Sequence, residues 1–237
     1  MPPPPPLALD ALRTTLLQDD WFRSCPVPLQ DALLALGRSR LLADGEPLFV
    51  QGQTEGGLYC VLQGAVTVQS AALDGHMPVL VVAEATHWFG ELSFTDGQPR
   101  SHDAVADGPT TVWCLDRQPL HAWLDQHPIH WKDIARLAVG KLRITFQVFD
   151  AEMRGPMTQR VARRLWLAAR GWGWRPGSPL RRLRCSQDQL ARMLGSSRTS
   201  ISKALHELVD GGAIRLHYGS VEVLDIGTLR RACDPPV

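Results

Sequence analysis

From Leu41 to Leu115 the apolar positions come in short runs: Pro47-Leu48-Phe49-Val50, Leu58-Tyr59-Cys60-Val61-Leu62, Ala65-Val66-Thr67-Val68, Val79-Leu80-Val81-Val82 and Thr111-Val112-Trp113-Cys114. Turn residues separate them at Asp44-Gly45, Gly52, Gly56-Gly57, Gln63-Gly64 and Asp74-Gly75. Closely spaced strands with glycine turns predict an antiparallel barrel or jelly roll. On either side the period lengthens to that of a helix, over Leu29 to Leu42 before the strands and about Ile129 to Met153 after them. In the second stretch Ile134, Leu137, Ile144 and Val148 form one stripe, with Ala138, Leu142, Thr145 and Phe149 beside it. A stripe that wide predicts two neighbours: the β domain, and the same helix of a second copy in a short coiled coil. The alternative is a single amphipathic helix packed only on its own barrel. Gly155-Pro156 then breaks the helix and makes a hinge.

The stretch Cys185 to Leu216 has the spacing of two short helices joined by a glycine turn. Counting from Gln187, Ala191 falls where two helices nearly touch, Gly195 at the turn, and Ile201 where the second helix returns to the core; Leu190, Leu194 and Leu205 complete the seam. Ser197 is placed to cap the second helix, and Arg198, Thr199, Ser200 and Lys203 fall on its solvent side. An ordinary α-hairpin is the alternative reading. Against it stands the segment beyond the second helix: a stop at Asp210-Gly211-Gly212, then β-type runs at Ile214–His217 and Val221–Leu224 around Tyr218-Gly219-Ser220. These form the wing of a winged helix-turn-helix, whose second helix enters the major groove of double-stranded DNA.

Charge supports this partner. The 237 residues carry a formal charge of only +1, but from Gly155 onward 14 Lys and Arg face 6 Asp and Glu, whereas Met1 to Arg154 holds 11 against 18. The two parts thus differ in sign, +8 against −7, and a basic C-terminal module is the footprint expected for phosphate-backbone binding. At 44% hydrophobic residues the chain can bury a sizeable core, and the charge split argues for two domains. No apolar run reaches membrane-spanning length, and the Met1–Pro6 proline run lacks the features of a signal peptide, so a cytoplasmic protein with no membrane partner is expected. Cys25, Cys60, Cys114, Cys185 and Cys233 have no metal-ligand spacing, which argues against an iron–sulfur cluster or other metal. His121, His127 and His130 share no helical face and read as surface or capping groups. No catalytic motif at a recognised spacing emerges, so the chain does not read as an enzyme.

A β-roll, long helix, hinge and winged helix-turn-helix in this order resemble the catabolite-activator and fumarate-nitrate-regulator (CRP/FNR) family of bacterial transcription factors, over about Trp21 to Leu229. The implied fold is α+β: a cyclic-nucleotide-binding-like β-roll (double-stranded β-helix or jelly roll), a long dimerisation helix and the winged module. The corresponding division is 1–20 as a Pro-rich tail and N-terminal segment, 21–128 as the effector roll, 129–154 as the dimerisation helix and 155–237 as the DNA-binding domain. Phe89-Gly90-Glu91-Leu92 with Pro99-Arg100-Ser101 is similar to the family's phosphate-binding cassette. Gly90 lets a short helix start close to an anion, Glu91 can accept from a ribose hydroxyl, Arg100 offers a two-point cation, and Ser101 adds a donor. By the same resemblance Thr145 on the long helix meets the adenine in cyclic-AMP-binding members.

The chain departs from that pattern in three places: the segment between Leu92 and Arg100 is about one residue short, His102 replaces a small residue, and Phe146 follows Thr145 where a serine is usual. The effector therefore stays open at this point among cyclic AMP or another cyclic nucleotide, haem, another small ligand, or none. The resemblance implies a homodimeric regulator in which a ligand in the roll shifts the recognition helices, with RNA polymerase as a further partner if it activates. A cyclic-nucleotide-binding module acting through protein contacts alone is the rival reading. Arg198 and Lys203 match the family's base-contacting positions, and Thr199 stands where cyclic-AMP-dependent activators carry a glutamate. Ser186, Gln187, Ser197 and Ser200 are placed for phosphates.

Overall fold

The computed structural model describes residues 9–70, 79–152, 155–170 and 181–233; the proline run lies outside them. The chain divides into two compact units, Met1–Ala71 with Ala83–Gly140, and Ala72–Val82 with Lys141–Val237.

Helices α1 (Leu9–Leu16), α2 (Asp20–Ser24) and α3 (Val27–Ala35) of the first unit precede eight strands: β1 (Gly37–Leu42), β2 (Pro47–Phe49), β3 (Gly57–Gln63), β4 (Ala65–Gln69), β5 (Val79–Glu84), β6 (Trp88–Phe89), β7 (Asp103–Ala106) and β8 (Thr110–Asp116), all in the first unit except the Val79–Val82 part of β5. They form two four-stranded sheets, β1-β8-β3-β6 and β2-β7-β4-β5, so neighbours in a sheet come from distant parts of the sequence. The roll interior is filled by Leu48, Phe49, Val61, Val66, Phe89 and Val112 with their neighbours. The N-terminal helices are fastened to it by aromatic packing: Trp88 meets Trp21 edge-on at 5.1 Å and Phe22 stacked at 5.9 Å. The carboxylate of Asp19 caps α2 by accepting from Phe22 N–H at 2.8 Å.

Here the helical reading of Leu29 to Leu42 needs correction. The helix ends at Ala35, and residues 37–42 are an edge strand running antiparallel to β8 from Gly37↔Leu115 to Leu42↔Thr110. Leu41-Leu42 continues a helical period by chance, but only Leu42 turns into the core. The strand begins at glycine because Trp113, its indole donating to Leu33 O at 2.9 Å, lies where a side chain would be: a Cβ on Gly37 would sit 2.1 Å from Trp113 Nε1.

After β6 comes the short α4 (Glu91–Asp96); after β8 come α5 (Arg117–Gln126), a 3-10 turn (Pro128–His130) and α6 (Trp131–Glu152). Ile134 and Leu137 of α6 are buried, but Val139, Leu142 and Phe146 are 48, 50 and 60% exposed. Of the histidines expected at the surface, His127 is exposed and meets Trp123 O, while His130 is buried against Asp133 Oδ2 at 3.1 Å. Spacing alone could not reveal that pairing, because the turn before α6 brings the two groups together.

In the second unit α7 (Met157–Ala169) follows Gly155-Pro156, and then come β9 (Arg182–Arg184), α8 (Gln187–Leu194), α9 (Arg198–Asp210), β10 (Ile214–His217), β11 (Ser220–Val223) and α10 (Ile226–Cys233). Val161, Leu165, Leu190, Ile201, Leu205 and Leu229 share its core. The wing is three-stranded in the order β10-β11-β9, with β9 and α10 adding to the hairpin expected from the sequence. Arg-Leu-Arg is too short to carry a strand pattern; pairing with β11 makes it one.

Candidate functional site

Two groups of residues carry chemistry, one in each unit. In the second unit Ser186 and Gln189 form a reciprocal cap on α8: Ser186 Oγ accepts from Gln189 N–H at 3.1 Å, and Gln189 Oε1 accepts from Ser186 N–H at 2.8 Å. Gly195 ends α8 with φ +55°, and two residues later Ser197 Oγ accepts from Ser200 N–H at 3.2 Å to start α9. Ile201, Ala204, Leu205 and Leu208 are buried beneath α9. Its opposite face leaves Arg198, Thr199, Ser200 and Lys203 exposed, with Ser197 exposed at its tip and Ser186 and Gln187 partly exposed at the start of α8.

Sequence reasoning missed three residues of this unit. Asp188 Oδ1 lies 3.6 Å from Arg198 Nε, with both side chains more than 60% exposed. Such a pair is worth about 0–1 kcal/mol, so Arg198 is held lightly and can be turned to a new acceptor. Arg160 of α7 donates to Leu194 O at 2.8 Å, satisfying a carbonyl at the end of α8. Tyr218, fully exposed, occupies the wing's two-residue turn with Gly219; an aromatic beside a turn glycine was its only sequence signal. Beside it Glu222 accepts from His217 at 2.8 Å and from Arg215 at 3.3 Å, and these partners, His217 first, lower its carboxyl below the usual range.

In the first unit β3 and β6 pair at Tyr59↔Phe89, and the chain then turns through Gly90 into α4. Gly90 has φ +92°, and a Cβ there would sit 2.6 Å from Gly57 O and 3.0 Å from Arg100 Nη1. Gly90→Ala therefore combines left-handed strain with a backbone clash. We expect it to destabilise the first unit by at least about 2 kcal/mol, lowering its Tm by about 4–8 °C in scanning calorimetry.

Arg100 is only 3% exposed. Its main chain is tied to the turn after β2, donating to Gln53 O and accepting from Gly52 N–H, both at 2.8 Å. Its guanidinium donates to Gly90 O at 3.2 Å, Gly57 O at 3.1 Å and Tyr59 Oη at 3.3 Å, and lies 4.2 Å from the centre of the Phe49 ring. Burial lowers its pKa from the ordinary arginine value, opposed by Tyr59 and Glu91. Glu91 is also buried, Leu92 is 53% exposed, and Ser101 is exposed with its hydroxyl 2.9 Å from His102 Nδ1. Gly90, Glu91 and Arg100 are thus brought together across the roll. Thr145 belongs to the second unit, where its hydroxyl donates to Lys141 O at 3.0 Å.

A model of the cyclic nucleotide-binding domain matches residues 39–127, and one of the Crp-like helix-turn-helix domain matches residues 159–232. The cyclic AMP receptor protein of Thermus thermophilus is 32% identical over 200 residues, covering 84% of this chain and 89% of that protein. The chain belongs to the CRP/FNR family. This CRP/FNR regulator is also 29% identical over 188 residues to the CRP-like cAMP-activated global transcriptional regulator of Mycobacterium tuberculosis, covering 79% of this chain and 84% of that one. In fold it resembles FixK2 from Bradyrhizobium japonicum, with a TM-score of 0.72, 18% identity, and coverage of 85% of this chain and 99% of that one. It is a transcriptional regulator with a cyclic nucleotide-binding domain ahead of a DNA-binding helix-turn-helix.

Among the described residues, no group of three or more His, Cys, Asp or Glu is placed to hold a metal ion, and no helix is long and apolar enough to cross a membrane. Cys25, at the end of α2, is buried, and burial with Asp133 nearby pushes its thiol up to about 12, so it rests as the thiol.

Proposed function

We propose that this protein is a cytoplasmic homodimer that reads a two-fold DNA site with α9 and is controlled by a cyclic nucleotide held in its roll. The observation that carries the DNA half is the division of α9. Its buried face fixes the helix in the unit, and its outer face presents Arg198, Thr199, Ser200 and Lys203 free of packing duties. Arg198 has the planar donor pair that reads a guanine edge, and Lys203 reaches the same groove one turn on. Ser186, Gln187, Ser197 and Ser200 hold the flanking phosphates, where small donors and helix N-termini fix register. Thr199, short and uncharged, changes the base preference at the position where relatives carry glutamate. RNA polymerase becomes a partner where the dimer activates.

Dimerisation follows from α6. Its last buried apolar residue among those described is Leu137, and Val139, Leu142 and Phe146 continue at the three- and four-residue spacing of a coiled-coil seam. Two copies across that seam double the recognition surface, with half-sites about 34–36 Å apart.

The experiment is a gel shift on a duplex that the unaltered protein has selected from a random pool, in cyclic AMP and across salt concentrations. Arg198→Ala is expected to weaken binding by about 1–3 kcal/mol, or roughly 5- to 150-fold, and to relax preference at one base pair per half-site. Equal affinity of the two proteins for the selected and a scrambled duplex would end this assignment.

For the roll, the carrying observation is a buried guanidinium, its Nε without a partner, beside a glycine turn whose carbonyl it already touches. The second reading is a regulator that needs no effector, favoured by the internal bonds Arg100 makes to Gly57, Gly90 and Tyr59. Calorimetric titration with cyclic AMP and cyclic GMP separates the two readings.

A further inference from the structure

Arg100 has five N–H bonds to place. Nη2 donates to Gly57 O and to Tyr59 Oη, Nη1 donates to Gly90 O, and the buried Nε has no partner. An anion that relieves Nε in two-point fashion needs a second N–H beside it, and both hydrogens of the neighbouring Nη2 are engaged. One of its two acceptors must give way. Gly57 O belongs to the main chain of β3, held by pairing with β8 at Gly57↔Asp116. Tyr59 Oη is the end of a side chain, and a phenol that releases an N–H can turn its own O–H toward the incoming charge.

We propose that the Tyr59 hydroxyl is a phosphate-binding group of this cassette: it accepts from Arg100 as seen here and, when a cyclic phosphodiester enters, donates its O–H to an exocyclic phosphate oxygen while Arg100 turns Nε–H and the released Nη2–H onto the same group. The inference rests on the cyclic-nucleotide reading of the roll. Tyr59 is partly exposed whereas Arg100 is buried, and the bond between its hydroxyl and Arg100 Nη2 is only partly buried, unlike the Nη2 bond to Gly57 O. Its ring is braced against Phe49 at 5.5 Å and Phe89 at 5.7 Å, which keeps the hydroxyl at a defined height above the Gly90 turn. Phe49 covers one face of the guanidinium and leaves its N–H edges for the anion. Burial raises the phenol above its ordinary pKa against the downward pull of Arg100, so the O–H stays available as a donor near neutral pH.

The test is calorimetric titration of the full chain with cyclic AMP and with its Sp and Rp phosphorothioates, each of which replaces one exocyclic oxygen by sulfur. Tyr59→Phe keeps the ring packing and deletes only the hydroxyl. The expected result is cyclic AMP binding about 5- to 20-fold weaker, less than a full charge-assisted bond because the variant also loses the Tyr59–Arg100 bond in the free protein. The Sp-to-Rp affinity ratio should change at least about fivefold by the same reasoning, a shift that loss of packing alone does not produce. Binding within twofold of the unaltered protein with the same ratio, or tighter binding, overturns the proposal, the latter by making the phenol a competitor only. If the unaltered protein takes up neither cyclic AMP nor cyclic GMP, the reading beneath the inference fails, and that result is distinct because it appears before any variant is made.

Discussion

Replacing Arg100 by alanine is expected to weaken cyclic AMP binding by about 2–5 kcal/mol, or roughly 30- to 5,000-fold, while the protein stays folded. The size follows from burial. A guanidinium 3% exposed has already lost its water, so each bond it makes to a phosphate forms in a low-dielectric setting and has no solvent bond to replace it. Stability should move far less. The variant loses three donor bonds and a contact with Phe49, but it also no longer buries a charge, and these effects oppose each other. Calorimetric titration reads the binding and differential scanning the fold. Saturable binding that survives the substitution unchanged would remove Arg100 from the phosphate site.

The double variant Leu142→Glu, Phe146→Glu is expected to be monomeric in sedimentation equilibrium at concentrations where the unaltered protein is a dimer. Full burial of a Leu or Phe side chain stabilises by about 1.5–3 kcal/mol. Leu142 and Phe146 are 50 and 60% exposed in the single chain, so about half of that remains to be gained at each of four positions across a two-fold seam. The total, roughly 3–6 kcal/mol, corresponds to about 150- to 25,000-fold in the dimerisation constant before repulsion among four carboxylates is added. Affinity for a two-fold duplex should fall with it, while weak binding to a single half-site persists. A double variant that stays dimeric would show that α6 is not the seam.

The helix-turn-helix was legible almost residue by residue because its determinants are local. Ser197 and Gly195 act through bonds to Ser200 and Ala191, three and four residues away, and the apolar seam repeats within one turn. The exposed face of α9 with Arg198, Thr199, Ser200 and Lys203 could therefore be read from spacing, whereas the Asp188 partner of Arg198 sits on another helix and could not. In the roll, five apolar runs announced strands, but β1 was read as the end of a helix and β7, with only alanines pointing inward, left no pattern.

The sequence by itself determined the succession of strand runs, long helix, Gly-Pro break and winged helix-turn-helix, the caps and stop of α8 and α9, and which residue types stand at the Gly90 turn and on the outer face of α9. These depend on interactions within about four residues of chain, which any copy of the same sequence makes whatever it is packed against. Only the tertiary structure decided that Gly37–Leu42 is a strand, because its partner β8 lies some seventy residues away. It also decided the state of Arg100, whose contacts are Phe49 of β2, Gly57 and Tyr59 of β3 and Gly90 at the turn before α4, and the point on α6 where core burial ends. Burial and the electrostatics of a buried charge are set by whatever the fold brings within a few ångströms, and that is a property of the packed chain.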